Sequence, residues 1–228
     1  TQRASRSSAP VVWPGVKGGQ FLPLDPGQID AIHRAALVVL ERTGMGEIPP
    51  VVEQALAEKG LRVGSDGRMS FPPALVEDAI AQARRDVVLW GQGADTALEL
   101  RGNRVYVGSG GAAPNVIDRS TGAYRPSTLR DLYDAARMVD ALEHIHFFCR
   151  SLVATDLPDP RSLDINTAFA CLAGTGKHVT VQASPPDHVA AIADLAHSVA
   201  GGRDVVLLVP WDELTLDVDE MGLLGARL

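Results

Sequence analysis

The chain has 228 residues, of which 46% are hydrophobic and 21% are charged, and its formal net charge is −7. This balance is typical of a globular protein with a sizeable core. The negative charge provides no field to attract nucleic acid or an anionic membrane surface. The two cysteines, Cys149 and Cys171, have no CxxC partner, so neither a disulfide framework nor a zinc site is indicated. We therefore expect a cytoplasmic protein with no bound metal, no nucleic acid and no membrane partner.

The N-terminal region predicts an irregular arm over residues 1–24, followed by a helix. Three prolines and three glycines interrupt residues 10–24, so we expect the arm to lie along another surface. Asp25 can then cap a helix to which Gln28 reaches back. Apolar residues at helical spacing follow, and Gly44 stands at the expected left-handed C′ position.

Residues 25–86 as a whole predict a helical cap with a small hairpin. The second helix runs from about Pro50 to Lys59 and stops at a glycine. A hairpin should turn at Asp66-Gly67. A third helix runs from Pro73 to about Ala83, with four apolar residues facing inward: Leu75, Val76, Ala79 and Ile80.

Short β runs separated by turn residues predict a β meander over residues 87–126. A glycine-rich loop, Gly108–Gly111, interrupts this region. It lacks the lysine and the serine or threonine of a phosphate-binding P-loop. Two interpretations remain open: a turn with positive φ angles, or a loop that shapes a binding site. In the second, Gly110 and Gly111 contact the substrate and Asn115 pins the loop by hydrogen bonds.

From residue 127 to residue 228, apolar strands alternate with amphipathic helices. Thr128 caps a helix, the strand IHFFC follows, and Ser162 opens the next helix. The strand HVTVQA, a helix opened by Ser184 and a third strand, VVLLV, complete the series. Strands that are apolar on both sides and alternate with helices indicate parallel β/α units, in a barrel or a doubly wound sheet. The absence of a GxGxxG motif disfavours the dinucleotide-binding version.

The linked series RVYVGSGGAAPNVIDRSTGAYRPSTLRDLYDAARMVDALEHIHFF resembles the trimethylamine methyltransferase family of corrinoid-dependent enzymes. The helices IHRAALVVLERTG and FPPALVEDAI are also similar to that family. The resemblance implies an α/β fold: a TIM-type (β/α)₈ barrel preceded by a helical cap and β meander. It implies methyl transfer from a methylamine, or a quaternary amine such as a betaine, to the cobalt of a corrinoid protein. The corrinoid (cobalamin) is then carried by that partner and is not bound tightly by this chain.

Length and the C-terminal tail indicate only part of such a barrel. A complete barrel takes about 250 residues, whereas the first barrel helix is predicted to begin only at Thr128. The tail after Gly202 does not match the family. We therefore expect a fragment of the enzyme or, alternatively, a catalytically inactive structural or interaction fragment of that fold. Because a partial barrel leaves a strand edge open, we also expect self-association into a homo-oligomer.

Candidate site residues follow from the barrel prediction, because barrel chemistry sits at the carboxyl ends of the strands. Arg150 follows the first strand and could pair with a substrate carboxylate or form a salt bridge with a neighbouring loop. Gln182 follows the second strand as a candidate polar pocket residue. His144 and His146 share one side of a strand, as metal ligands might, but no third ligand has suitable spacing. No catalytic residue can be assigned.

Overall fold

The computed structural model describes residues 12–181 and 186–201, which fall into two compact units. Of the described residues, one unit spans Gly18–Arg85, and the other joins the residues up to Lys17 with those from Asp86 to Gly201. The helices are α1 (Pro26–Arg42), α2 (Pro50–Ala57), α3 (Pro73–Gln82), α4 (Leu129–Ala141), α5 (Pro160–Gly174) and α6 (Pro186–Val199). The strands are β1 (Val16–Lys17), β2 (Met45–Gly46), β3 (Arg68–Met69), β4 (Val87–Leu89), β5 (Leu98–Leu100), β6 (Arg104–Val105), β7 (Asn115–Ile117), β8 (Tyr124–Pro126), β9 (Phe147–Cys149) and β10 (His178–Thr180).

The first helix begins and ends as its sequence predicts. The Asp25 carboxylate accepts the Gln28 backbone N–H at 2.9 Å, and the Gln28 side chain accepts the Asp25 N–H at 3.0 Å. These two bonds form a capping box that satisfies donors at the amino end of α1. At the other end Gly44 adopts a φ of 64°, which a residue with a side chain rarely does. Both predicted signals are confirmed.

Helix α3 has the predicted extent but not the predicted inward face. Leu75 and Val76 are half-buried, whereas Ala79 and Ile80 are exposed, so the prediction for the last two is wrong. The physical reason is that α3 packs on α1, which covers only part of its apolar surface. The stripe of α1 is likewise only partly covered, since no residue of that helix is fully buried.

The predicted small hairpin is present, and part of it has a second partner. Val63 bridges Met69 across a turn in which Gly67 has a φ of 76°. Strand β3, which contains Met69, also pairs antiparallel with β2, the segment just after α1. Sequence periodicity does not show this second pairing because the strands are only two residues long and far apart in sequence.

The predicted β meander consists of separate two-stranded pairs. Strand β4 pairs antiparallel with β5, and β7 pairs antiparallel with β8. The remaining strand, β6, pairs antiparallel with β1, which belongs to the N-terminal arm. The arm therefore lies along another element, as expected, but it contributes a short strand.

Hairpin β7–β8 is joined to α4 by ion pairs within the motif that resembles the methyltransferase family. Arg125 donates to both carboxylate oxygens of Asp131, at 2.7 and 2.9 Å, and to Asp118 at 3.2 Å. The Thr128 hydroxyl accepts the Asp131 N–H at 3.3 Å, which confirms Thr128 as the cap of α4, and Asp131 accepts the Thr128 N–H in return. The hydrogen bonds from the Arg125 guanidinium hold the pKa of the Asp131 carboxyl well below its usual range. This part of the motif has a structural role.

Strands β9 and β10 form a parallel pair covered on one face by helices. Phe147 is in register with His178, and Phe148 with Val179. Phe148 and Val179 are buried on the face covered by the helices, whereas Phe147 is half-buried on the other face. The core under helices α4, α5 and α6 contains buried residues of each helix: Leu132, Ala136, Val139, Ala168, Cys171 and Ile192. Burying each large apolar side chain contributes about 1.5–3 kcal/mol, so this layer holds the unit together.

The sequence predicts serine caps at the amino ends of α5 and α6. Helix α5 is capped by Asp159 and not by Ser162, because Pro160 takes the first helical position and Asp159 accepts the Ser162 N–H at 2.9 Å. The predicted cap of α6, Ser184, lies outside the described residues, as does the predicted strand VVLLV. Within the described ranges, the succession β9, α5, β10, α6 confirms parallel β/α units.

Candidate functional site

The glycine-rich segment forms an irregular strand beside β9, on the edge opposite β10. Gly108 bridges Phe147 in parallel, and Ala113 bridges Leu152. A Cβ atom on Gly108 would lie 2.2 Å from the Phe147 ring, so only glycine fits there. Of the three glycines in the segment, only Gly111 has a positive φ, 103°. The simple turn interpretation therefore holds for Gly111 alone, and the segment is a third parallel element next to β9.

Ser109 fastens this segment to β9 through its side chain. Its hydroxyl donates to the Cys149 carbonyl at 2.7 Å and accepts the Cys149 N–H at 3.0 Å. A side chain thus replaces two backbone groups in the ladder, which lets the glycine backbone depart from regular strand geometry. Sequence reasoning missed Ser109, because nothing in the glycine-rich pattern distinguishes a structural serine from a solvent-exposed one.

The carboxyl ends of these two parallel segments are joined by Ser127, which is fully buried. Its hydroxyl lies 2.6 Å from the Val153 carbonyl oxygen and 3.1 Å from that of Ala113, and its single hydrogen serves one of them at a time. Thr155 in turn donates its hydroxyl to the Ser127 carbonyl at 2.7 Å. These bonds give the carboxyl edge of the parallel segments a defined geometry.

The predicted site residues are brought together only in part. Gly110 faces open space, and Gly111 lies beside Ser151, so their backbones flank the carboxyl end of β9 next to Arg150. Asn115 instead begins β7 in register with Pro126, and the bonds that hold the glycine segment come from Ser109 and Ser127. Gln182 lies outside the described residues.

Arg150 is half-buried at the carboxyl end of β9. Its Nε atom is buried and makes no hydrogen bond in the part of the chain that the structure describes. The side chain lies near α5, where burial raises the pKa of the Cys171 thiol to about 12 and the Arg150 charge opposes that shift only in part. A buried donor without an acceptor is costly, so this guanidinium is suited to receive an anion. Its pairing with a substrate carboxylate stays a prediction.

The amino edge of the same units is held by Lys177, which is 1% exposed. Its ammonium donates to the carbonyl oxygens of Val139 at 2.8 Å, Leu142 at 2.6 Å and Ile145 at 2.6 Å. Three ammonium hydrogens match three acceptors at the end of α4 and the entry to β9. Lys177 therefore aligns one β/α unit with the next.

His146 and His178 are buried and lie within hydrogen-bond distance of backbone groups. His146 is buried and accepts the Val107 N–H at 2.9 Å, and burial lowers its pKa. His178 lies with its Nδ1 2.9 Å from the Trp90 carbonyl oxygen, and burial lowers its pKa as well. Within residues 12–181 and 186–201, no three His, Cys, Asp or Glu side chains are grouped to hold a metal ion.

A buried acid–histidine pair was not predicted from the sequence. His188 lies 2.8 Å from the Asp164 carboxylate, and each side chain is 7% exposed. The pair joins α5 to α6 near their amino ends. The two residues are 24 positions apart in sequence, so only the packing of the two helices brings them together.

Comparisons with known proteins match the same family along most of the chain. The family model described as trimethylamine methyltransferase (MTTB) matches residues 1–209. The match includes residues 203–209, so the expectation that the tail after Gly202 does not match the family is wrong for those residues. The chain is 30% identical, over 190 residues, to trimethylamine methyltransferase MttB of Desulfitobacterium hafniense, covering 83% of this chain and 38% of that protein. It is 25% identical, over 227 residues, to trimethylamine methyltransferase MttB1 of Methanosarcina mazei, covering 93% and 46%.

The chain thus spans less than half the length of these curated relatives. None of the helices in the described ranges is long and apolar enough to cross a membrane. The match of the family model covers both compact units and includes the glycine segment, Ser127 and the β/α units. The chain belongs to the trimethylamine methyltransferase family.

Proposed function

We propose that this chain carries the N-terminal part of a methyltransferase that moves a methyl group from a methylamine or a quaternary amine, such as a betaine, to the cobalt of a corrinoid protein. The observation that carries the proposal is the family match over residues 1–209. Its β/α units are then the first units of a TIM-type (β/α)₈ barrel. The parallel pair β9–β10 and the glycine segment beside it support this architecture, because barrels are built from such successive parallel strands.

The two faces of the parallel pair also support a barrel. Phe148 and Val179 are buried under the helices. On the opposite face His178 is buried and Phe147 packs against a buried apolar cluster, whereas Cys149 and Thr180 are only half-buried. A closed barrel turns that second face inward. In the described residues this face is covered beside Phe147 and His178 and only half-covered at Cys149 and Thr180, toward the carboxyl edge, as expected when further strands complete the barrel.

Methyl transfer from an ammonium group depends on how the substrate is positioned, because it requires no proton transfer at the methyl carbon. The corrinoid, when bound by its partner protein, supplies the reduced cobalt that accepts the methyl group. The methyltransferase must hold the amine, orient its methyl group and exclude water. The open backbone of Gly110 and Gly111, and the unpaired Nε of Arg150, are the groups that this chain offers at the carboxyl edge. Arg150 suits a donor that carries a carboxylate.

Methyl transfer can be followed by the change in cobalt absorbance when reduced corrinoid protein is methylated. The purified chain should give no methylation with trimethylamine or glycine betaine. A mixture with a polypeptide supplying the remaining length of the Desulfitobacterium hafniense relative should copurify and methylate the corrinoid. A copurified mixture that methylates nothing would favour the inactive interaction fragment, and turnover by the chain alone would contradict the need for further strands.

The open face and strand edge also lead us to propose self-association of the isolated chain. Light scattering of the purified protein should show a homo-oligomer or a distribution of larger species. A monodisperse monomer would contradict the proposed unfinished barrel.

A further inference from the structure

The unit Gly18–Arg85 contains a cavity of about 280 Å³ between the end of α2, the small hairpin and the start of α3. Pockets that hold drug-sized ligands are about 300–1,000 Å³, so this cavity suits a small ligand. Nothing in the proposed methyl transfer uses it. Its lining is unusually basic for a chain whose net charge is −7.

Three cations line this cavity: Lys59, Arg62 and Arg68. None of them forms an ion pair with any residue that the structure describes. The single carboxylate in the lining, Asp66, accepts the backbone N–H of Arg68 at 3.1 Å. Three cations around one carboxylate leave a net positive cavity, which attracts an anion.

Both arginines are held in place by backbone carbonyls. Arg62 donates from Nη1 to the Ala57 and Leu61 oxygens, each at 2.7 Å. Arg68 donates from Nε to the Thr43 oxygen at 2.5 Å and from Nη2 to the Gly44 oxygen at 3.0 Å. Carbonyl groups at a helix end carry about half a negative charge, so they orient a guanidinium without neutralising it. The cations are thus preorganised, which reduces the entropy that binding would cost.

Two neutral features add donors and positive potential. Ser70 also lines the cavity, and both its backbone N–H and its hydroxyl are groups that can donate to an anion. Pro72 and Leu75, at the amino end of α3, lie in the same lining. That end has no side-chain cap, and a helix amino end favours negative charge.

We propose that this cavity is a binding site for a small oxyanion, that is, a ligand bearing a phosphate or carboxylate group. Guanidinium groups present paired N–H donors that match both kinds of group. Lys59 adds a mobile point charge from the exposed rim. The site belongs to the N-terminal unit and does not depend on the proposed methyl transfer.

The test uses titration calorimetry of the full 228-residue chain with inorganic phosphate, acetate and chloride at constant ionic strength. Phosphate or acetate should bind more tightly than chloride, and the tighter of the two identifies the preferred group. Lys59→Met should weaken binding about two- to fivefold, as expected for one exposed charge pair. Lys17→Met, a matched change on exposed β1, should leave the affinity unchanged.

Arg68→Lys keeps the positive charge but removes the paired N–H donors of the guanidinium. This variant should therefore bind the anion more weakly, while its affinity keeps the same dependence on ionic strength. Because Arg68 also holds a helix end, circular dichroism must show that this variant folds. If Arg68→Lys does not fold, the Lys59→Met result still decides, since the Lys59 side chain makes no hydrogen bond to the residues described and only its backbone N–H bonds, to the Leu56 carbonyl. Equal binding of chloride and phosphate, or an affinity that Lys59→Met leaves unchanged, would overturn the site.

Discussion

Replacement of Lys177 by methionine is the most direct test of how the β/α units are held together. Methionine has a similar length but no donors, so Lys177→Met leaves the carbonyls of Val139, Leu142 and Ile145 without the ammonium. Hydrogen bonds to a charged group contribute about 1.5–3 kcal/mol each, but burying the ammonium has its own desolvation cost. Because the two effects partly cancel, we expect a net loss of about 3 kcal/mol in the free energy of unfolding.

The loss should appear as a lower midpoint in urea and in thermal unfolding followed by circular dichroism. For a chain of this length 1 kcal/mol corresponds to about 2–4 °C, so the melting temperature should fall by roughly 6–12 °C. Amide hydrogen exchange should accelerate at the end of α4 and at the entry to β9, where the three carbonyls lie. The control is Lys17→Met, since Lys17 is exposed on β1.

A Lys177→Met protein within about 0.5 kcal/mol of the parent, the range of ordinary surface substitutions, would refute this reasoning. It would mean that the three carbonyls become hydrated in the variant, or that the end of α4 rearranges with little loss of free energy. A loss of similar size in Lys17→Met would show that the effect is not specific to the buried ammonium.

Three further predictions follow from individual contacts. Gly108→Ala should lower the stability by about 1–3 kcal/mol in urea unfolding, because its Cβ meets the Phe147 ring, and Phe147→Leu should reduce that cost; equal costs in both backgrounds would contradict the clash. The Asp131 pKa is lowered on folding, so its contribution is present above about pH 4 and lost as the pH falls; Arg125→Met should therefore reduce the stability difference between pH 7 and pH 3, and an unchanged difference would argue against the pair. Burial lowers the pKa of His178 below 6.5, so stability should fall as the pH drops below that value, and His178→Gln should flatten this dependence in urea midpoints measured at pH 7.5, 6.5 and 5.5; a dependence that survives the substitution would assign it to other groups.

Local structure was largely predictable from the sequence, because its signals act over a few residues. The capping boxes at Asp25 and Thr128 are made by side chains three positions from their partners. Gly44 and Gly67 mark points where the chain needs a positive φ. The cap predicted for α5 fell three residues too late, because Ser162 and Asp159 are both good capping types and only the position of Pro160 decides between them.

The candidate site was less predictable, because its contacts join residues distant in sequence. Arg150 was placed at the carboxyl end of a strand by the alternation of strands and helices, and the structure places it there. Ser109 and Ser127 were not predicted, since each gains its role from a strand that arrives 26 or more residues later. Asn115, chosen for its position after the glycines, instead begins a hairpin.

The sequence by itself determined where most of the described helices begin and end, and the motif series that resembles the methyltransferase family. Tertiary structure alone decided that the glycine segment is a parallel neighbour of β9, that Lys177 is buried, and that Asp164 meets His188. The physical reason is the distance along the chain over which each kind of interaction acts. Caps, turns and amphipathic periods depend on residues within one or two helical turns of each other. The surroundings of a buried polar group depend instead on a segment distant in sequence, which excludes water from the group and supplies its hydrogen-bond partner.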